Sequence, residues 1–296
     1  MNTGWNYRRE HLGLSQRSHY VIVNGGSQPN VVPSEASVWY YFRERSYEGI
    51  KGLHEIGSTI ARAAAQMTGT SVEERVLAAT WPGHFSVPIA EAANRNISRV
   101  GLPSWSEDDQ KFAKAVQTLM GAPTRGLAAK LLPERAGEGG EGGPSGEPGR
   151  AAAAGAAGSD DIAEVSWNVP TIQLRYPGNI SGAIGHHWSS AMAMATPIAH
   201  KGATAGAKVH AMNALDLLLN PELMKAAKEY FDKQTKETKW QSLIPAGVQP
   251  YLDMHKERME KYRPEMRKYY FDSSKYGTYL EQLGIKYPML DAPKQP

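Results

Sequence analysis

Ser37-Val38-Trp39-Tyr40-Tyr41-Phe42-Arg43, followed by the run from Ser46 to Met67, decides the fold. The first run is rich in aromatic and β-branched residues and reads as a strand. In the second, Ile50, Leu53, Ile56, Ile60, Ala64 and Met67 recur at helical spacing, so it reads as a helix with one apolar face. Upstream, His19 to Val23 is a short apolar strand that ends at Asn24-Gly25-Gly26, a strong turn signal. Downstream, Val72 to Trp81 reads as a further strand. Strand, strand, helix, strand predicts an α+β layer in which a helix covers one face of an antiparallel sheet. Residues 1–12 read as helical but begin without a capping residue, a first hint that the chain starts inside a longer pattern.

After Gly83 the pattern turns mostly helical. Val87 to Val100 is one expected helix. Ser106-Glu107-Asp108-Asp109 opens another that runs to about Met120, with a capping serine and three acids at the positive end of the helix dipole. Residues 134–158 are low in complexity, dominated by Gly, Ala, Glu and Pro, and read as a mobile surface loop. Beyond it, Val169 to Leu174 reads as a strand and Thr204 to Leu219 as an amphipathic helix. Asn220-Pro221-Glu222 is a stop and restart between helices. The expected class is α/β, with one domain over 1–83 and a second over 84–296.

Composition narrows the chemistry. The chain has 296 residues, 41% of them hydrophobic, enough to bury a core. A net charge of +3 is too small to imply a polyanionic partner. Tyrosines interleave with Lys and Arg over 251–271, a pattern that can bind single-stranded nucleic acid. There, however, Asp253, Glu257, Glu260 and Glu265 offset the cations, and a mixed-charge helical face is the better reading. With no cysteine, thiolate ligands and cysteine nucleophiles are excluded, and any metal must be held by His, Asp or Glu. No apolar run is long enough to span a membrane and the N-terminus does not read as a signal peptide, so a cytoplasmic protein is the default.

The chemistry concentrates in three places. His186 and His187 are adjacent, so at most one normally serves a given site; each is a possible metal ligand or an ordinary hydrogen-bonded histidine. Asp160, Asp161 and Glu164 can serve a metal site, or form an acidic turn capping a helix. The third place is Asn30 with Arg43, which otherwise read as a turn residue and a solvated strand-end cation; Arg45 is a near neighbour of the latter.

Gly158-Ser159-Asp160-Asp161-Ile162-Ala163-Glu164-Val165-Ser166-Trp167, then Gly185-His186-His187-Trp188 and Ala199-His200-Lys201-Gly202, resemble the C-terminal catalytic segments of two-metal amidohydrolases of the aminoacylase and carboxypeptidase family. The nearest type within it is the aminobenzoyl-glutamate-utilising one. Such enzymes usually read Gly-Ser-Thr-Asp-Val-Gly-Asp-Val-Ser-Trp in the first run; here Asp160, Ala163 and Glu164 depart, and Asp161 matches. The resemblance implies cleavage of the amide of an N-acyl amino acid by two divalent ions, zinc or manganese. It implies His187 as the late metal ligand, with His186 and His200 as second choices, and places Asp161 and Ser166 on the wall of the site. It also makes residues 1–83 a lid and dimerisation domain, in which Asn30 and Arg43 bind the substrate carboxylate and through which the chain forms a homodimer. A guanidinium fork gripping a carboxylate through two parallel bonds is sound chemistry for that role.

The rest of such an apparatus is not in this sequence. There is no His-x-Asp, and the one Glu-Glu, Glu73-Glu74, reads as a solvated edge. The resemblance therefore implies the later part of such an enzyme, with no catalytic acid or base of its own, inactive alone. The alternative is a relative that binds ligand and dimerises without hydrolysis.

Overall fold

The computed structural model describes residues 1–131 and 160–290. The low-complexity segment expected as a loop over 134–158 lies outside them. The chain is a mixed α and β protein that divides into two compact units. One comprises Met1–His84 with 160–168 and Trp240–Pro250; the other holds 85–131, Val169–Lys239 and 251–290.

In the first unit, β1 (Arg17–Asn24) and β2 (Ser37–Arg43) pair antiparallel, from Arg17 opposite Arg43 to Asn24 opposite Ser37. Side chains alternate between faces, and one face is built of Ser18, Tyr20, Tyr40 and Phe42. Against it lies α1 (Asn2–Arg8), whose Trp5 is fully buried with its ring 4.9 Å from Phe42 and its indole N–H donating to Ser18 Oγ at 2.8 Å. Tyr40 donates to Asn2 Oδ1 at 2.6 Å. Burial, with Tyr20 alongside and against the pull of Arg9, pushes the Tyr40 phenol up to about 12, so it remains a donor.

The amphipathic run forms α2 (Tyr47–Thr68), capped by Ser46, whose hydroxyl accepts from Gly49 N. Gly57 matters here: a Cβ at that position would stand 2.5 Å from the Phe42 ring, so glycine is what lets β2 approach the helix. The expected strand over 72–81 does not form. Among the described residues the sheet has two strands only, and a strand without a neighbour to complete its ladder has no stability. Glu74 is instead drawn to α2, accepting from Ser58 Oγ at 2.5 Å with Arg62 at 3.6 Å. It anchors the segment, and the reading of Glu73-Glu74 as a solvated edge is corrected for Glu74. Also in this unit, 160–168 contribute the short helix α3 (Ile162–Ser166).

The second unit is helical. Its elements are α4 (Val87–Val100), α5 (Glu107–Leu119), α6 (Trp188–Met194), α7 (Pro197–Leu219), α8 (Pro221–Gln234), α9 (Lys256–Met266) and α10 (Tyr279–Gln282). The cap at Ser106 is a full capping box with Asp109, and Asn220 both ends α7 and caps α8. One core gathers Ala113 and Val116 of α5, Leu127, Ile180, Ala193 of α6 and Ile198 of α7. Elsewhere α4 packs on α7 and α8, and buried Asn96 donates to Asn213 Oδ1 at 2.9 Å and Asp216 Oδ2 at 2.6 Å. The strand expected at 169–174 is absent; that segment holds to the unit through a bond from Ser86 N to Thr171 O.

Candidate active site

The loop from Tyr176 to Gly185 carries the site, and three devices fix it. At Gly202 of α7 a Cβ would collide with the Pro177 carbonyl and stand 2.5 Å from Gly178 Cα, so the loop backbone lies directly on the helix. Buried Gln117 donates to Ser181 O and Oγ at 3.1 and 3.0 Å and accepts from Gly126 N. Ile180 enters the core. The chain then turns through His186, the one non-glycine described with positive φ, at 57°. A non-glycine residue held there costs energy, and such residues cluster at functional sites.

His187 is the N-cap of α6. Its Nδ1 lies 2.9 Å from Ser189 Oγ and accepts from Ser189 N at 3.3 Å. The two tautomers of the ring do opposite things: capping Ser189 N needs a bare Nδ1 and puts the proton on Nε2, whereas a proton on Nδ1 donates to the serine oxygen, gives up the cap and leaves the Nε2 lone pair for a ligand, the arrangement metal-ligating histidines adopt. Asn179 ties the same turn, donating to Ser190 Oγ at 3.1 Å. These residues line a pocket of about 440 Å³ formed by Asn179, His186, His187, Trp188, Ser190, Ala191 and Met194. Asn179 was not singled out from sequence; only its place in Pro177-Gly178-Asn179, a turn-forming run, hinted at it.

Two of the three candidate histidines therefore meet, and His200 does not join them: it is exposed on α7, outside the residues lining the pocket. Among the described residues no carboxylate lines it either. Among the described residues no group of three or more His, Asp or Glu side chains could hold a metal. Zinc sites are ordinarily built from three or four protein ligands, so two imidazoles fit one edge of a metal centre and not a two-metal group.

Asp161 and Ser166 sit in the first unit and do different work. Asp161 is exposed at the N-cap of α3 without a side-chain capping bond; Asp160 accepts from Ile162 N instead. Ser166 is fully buried, donating to Ala163 O at 2.6 Å and accepting from His84 N at 3.2 Å. Glu164 explains its departure from the expected aspartate. Its longer side chain accepts from Trp81 N at 2.7 Å and from the Trp240 indole. The indole of Trp81 donates to Gln241 O, and that of Trp167 to Pro82 O. The run is a knot joining three stretches of its unit.

Asn30 lies exposed in the loop joining the strand tips, whereas Arg43 ends β2 at the base, six residue steps or ~20 Å of strand from where that loop attaches. No described bond joins them. Arg43 stacks over Tyr41 at 5.7 Å, and Arg45 is exposed beside it.

The chain is 30% identical to a subunit of the p-aminobenzoyl-glutamate hydrolase of Escherichia coli (strain K12) over 261 residues, 84% of this chain and 54% of that protein. It is 25% identical to the Xaa-Arg dipeptidase of Homo sapiens over 237 residues, 80% of this chain and 44% of the other. With the Xaa-Arg dipeptidase of Mus musculus it shares 31% over 103 residues, 34% of this chain and 23% of that one. The chain thus spans about half the length of the first two relatives. No protein-family model matches it.

Proposed function

We propose, with the chain a relative of the amidohydrolases of the aminoacylase and carboxypeptidase type, that it forms the lid and later catalytic segment of an enzyme cleaving the amide bond of N-acyl amino acids, aminobenzoyl-glutamate among them. The observation that carries this reading is the gathering of His186, His187 and Asn179 in one pocket, on a loop fixed by Gly202 and Gln117. His187 supplies an imidazole whose other nitrogen is already held by Ser189. A metal there, zinc or manganese, would polarise the substrate carbonyl when bound. Asn179 holds the turn that presents the imidazole, and Trp188, 54% exposed, offers an apolar wall for the acyl group.

Residues 1–83 act as the lid in this reading. Arg43 takes the substrate carboxylate, and Asn30, remote from it within one hairpin, reaches that carboxylate from a second copy. Homodimerisation through the hairpin is supported by the sheet itself: β1 and β2 pair only with each other among the described residues, so each leaves an edge open to another strand. Among those residues no helix is long and apolar enough to cross a membrane.

Because the described residues gather too few ligands for two ions, the chain alone is expected to be inactive. Metal content and hydrolysis of N-aminobenzoyl-glutamate by the purified chain test this together. No stoichiometric metal and no turnover is the expected result; two tightly bound ions with turnover would overturn the assignment of ligands. The same shortage favours a second reading, a non-catalytic ligand-binding relative. Tight binding of the N-acyl amino acid without metal, and no gain of activity with any companion polypeptide, would select it.

A further inference from the structure

Ser189, the second residue of α6, is fully buried, and its hydroxyl stands between two groups. Ile184 N donates to Ser189 Oγ at 3.2 Å, and His187 Nδ1 lies 2.9 Å from the same oxygen. Ser189 N is directed at that ring nitrogen too, at 3.3 Å. The Trp188 ring, 5.0 Å away, flanks the imidazole. His187 lines the pocket, so with Nδ1 engaged at Ser189, Nε2 is the nitrogen left for a ligand.

Counting donors decides where the neutral ring carries its proton. A hydroxyl has one hydrogen to give and two lone pairs to receive with, and a neutral imidazole has one N–H and one bare nitrogen. With Nδ1 bare, each group is satisfied: Ser189 Oγ receives from Ile184 N and gives its hydrogen to Nδ1, and Ser189 N caps the same nitrogen. With the proton on Nδ1, the serine oxygen receives twice. Its own hydrogen then has no acceptor among the described residues, and Ser189 N faces a donor in place of an acceptor. Both orphans belong to a residue shut off from water, where an unmade bond carries its full desolvation cost.

We propose that Ser189 is a positioning residue that holds the proton of neutral His187 on Nε2, so that the chain by itself presents an N–H donor to the pocket. That donor suits a carbonyl or carboxylate oxygen of a bound molecule. A cation needs the lone pair instead, and reaches it only when the proton moves to Nδ1 and the two donors of Ser189 are orphaned. The groups that support metal-bound histidines are ordinarily acceptors, carboxylates or carbonyls, that take the proton of the other ring nitrogen. Ser189, already receiving from Ile184, does the reverse. This rests on the pocket read above as the site, and it gives the expected lack of metal in the isolated chain a second cause beside the shortage of ligands.

The test is long-range proton–nitrogen NMR of the whole chain with labelled histidine, at about pH 8.5, where imidazoles are ordinarily neutral. His187→Asn identifies the signals of this ring by their loss. The wild-type ring is expected to carry its proton on Nε2 with a preference of at least about tenfold, which two orphaned buried donors support. A ring protonated on Nδ1, or an even mixture, overturns the proposal. Ser189→Thr keeps the hydroxyl and should keep the wild-type pattern. Ser189→Asp puts an acceptor in its place and should turn the tautomer over, with zinc affinity rising about tenfold or more. A folded Ser189→Asp chain whose ring kept the wild-type tautomer would show that residue 189 does not set it, and the proposal would fall. Zinc separates the two levels. If the tautomer turns over and the His187 signals still ignore zinc, the ligand role read above for His187 fails while the placement of its proton stands.

Discussion

The run 160–167 and the run 185–188 look alike in sequence, each a short polar motif closed by a tryptophan, yet they do opposite things. In the first, Glu164, Ser166 and Trp167 are engaged in bonds that join separate stretches of their unit, and Asp160 accepts from Ile162 N within the turn. In the second, only one nitrogen of His187 is bound, to the residue it caps, while His186 and Trp188 stand exposed at an open pocket. The difference teaches that a motif's residue types do not say whether its polar groups face inward. What decides is whether neighbouring chain supplies partners. Trp81, His84 and Trp240 do so for the first run, and among the described residues nothing comparable closes over the second.

The largest effect should come from cutting the knot. Glu164→Ala removes the acceptor for Trp81 N and for the Trp240 indole, and is expected to destabilise the chain by about 3 kcal/mol, two charge-assisted bonds being involved. Glu164→Asp should recover little, since the shorter stem cannot span to both donors. Urea unfolding measures this, and a loss below about 1 kcal/mol would mean that the knot is decoration and the two runs differ less than described.

A second buried carboxylate asks whether the helical unit is tied as firmly. Asp109 is fully buried, receiving Lys201 Nζ at 2.5 Å, Tyr287 Oη at 3.0 Å and Ser106 N at 2.8 Å. Burial pushes its carboxyl up, but Lys201, Ser106 and Tyr287 together outweigh that, and the net shift is downward. A group with a lowered folded pKa contributes stability above its unfolded value, about 3.9, and loses it as pH falls toward the folded one. Asp109→Asn should therefore cost about 2 kcal/mol at pH 7, with the gap from wild type closing below about pH 4. A gap that stays constant with pH would show that packing, not charge, holds this corner.

Much of this framework was legible in advance. The strand at 37–43, the helices at 87–100 and 107–119, and the restart at Asn220 follow from local chemistry: β-branched and aromatic runs, caps, and a proline at a helix start. The expected strands at 72–81 and 169–174 failed because a strand depends on a neighbour that no local signal reveals. The site was legible in part for the same reason. The adjacent histidines announce themselves by type, but the engagement of Ser166 and the reach of Glu164 are set by contacts 82 and 83 residues away. Asn179 was hidden because its role depends on Ser190, across a loop.

Ser166→Ala comes next in size. It removes the bond to His84 N from a buried position and should cost about 1.5 kcal/mol, with no effect on ligand or metal binding if the hydroxyl is structural. Weakened binding of an N-acyl amino acid by a folded Ser166→Ala chain would return this residue to the wall of the site, where its sequence motif suggested it.

The smallest effect on stability is expected at His187, and that smallness is the sharpest test of the contrast. Its side chain caps α6, so His187→Ala should cost about 1 kcal/mol. Asparagine is a strong N-cap, and His187→Asn should restore nearly all of that stability. It offers no imidazole, so any zinc affinity of the pocket should fall in both variants alike. Thermal unfolding and zinc titration, read side by side, then separate the two roles of one residue. If His187→Asn restored both stability and zinc affinity, the imidazole would be a cap and nothing more, and the open run would be as structural as the buried one. If it restored stability alone, the imidazole would serve the pocket in a role separate from the cap.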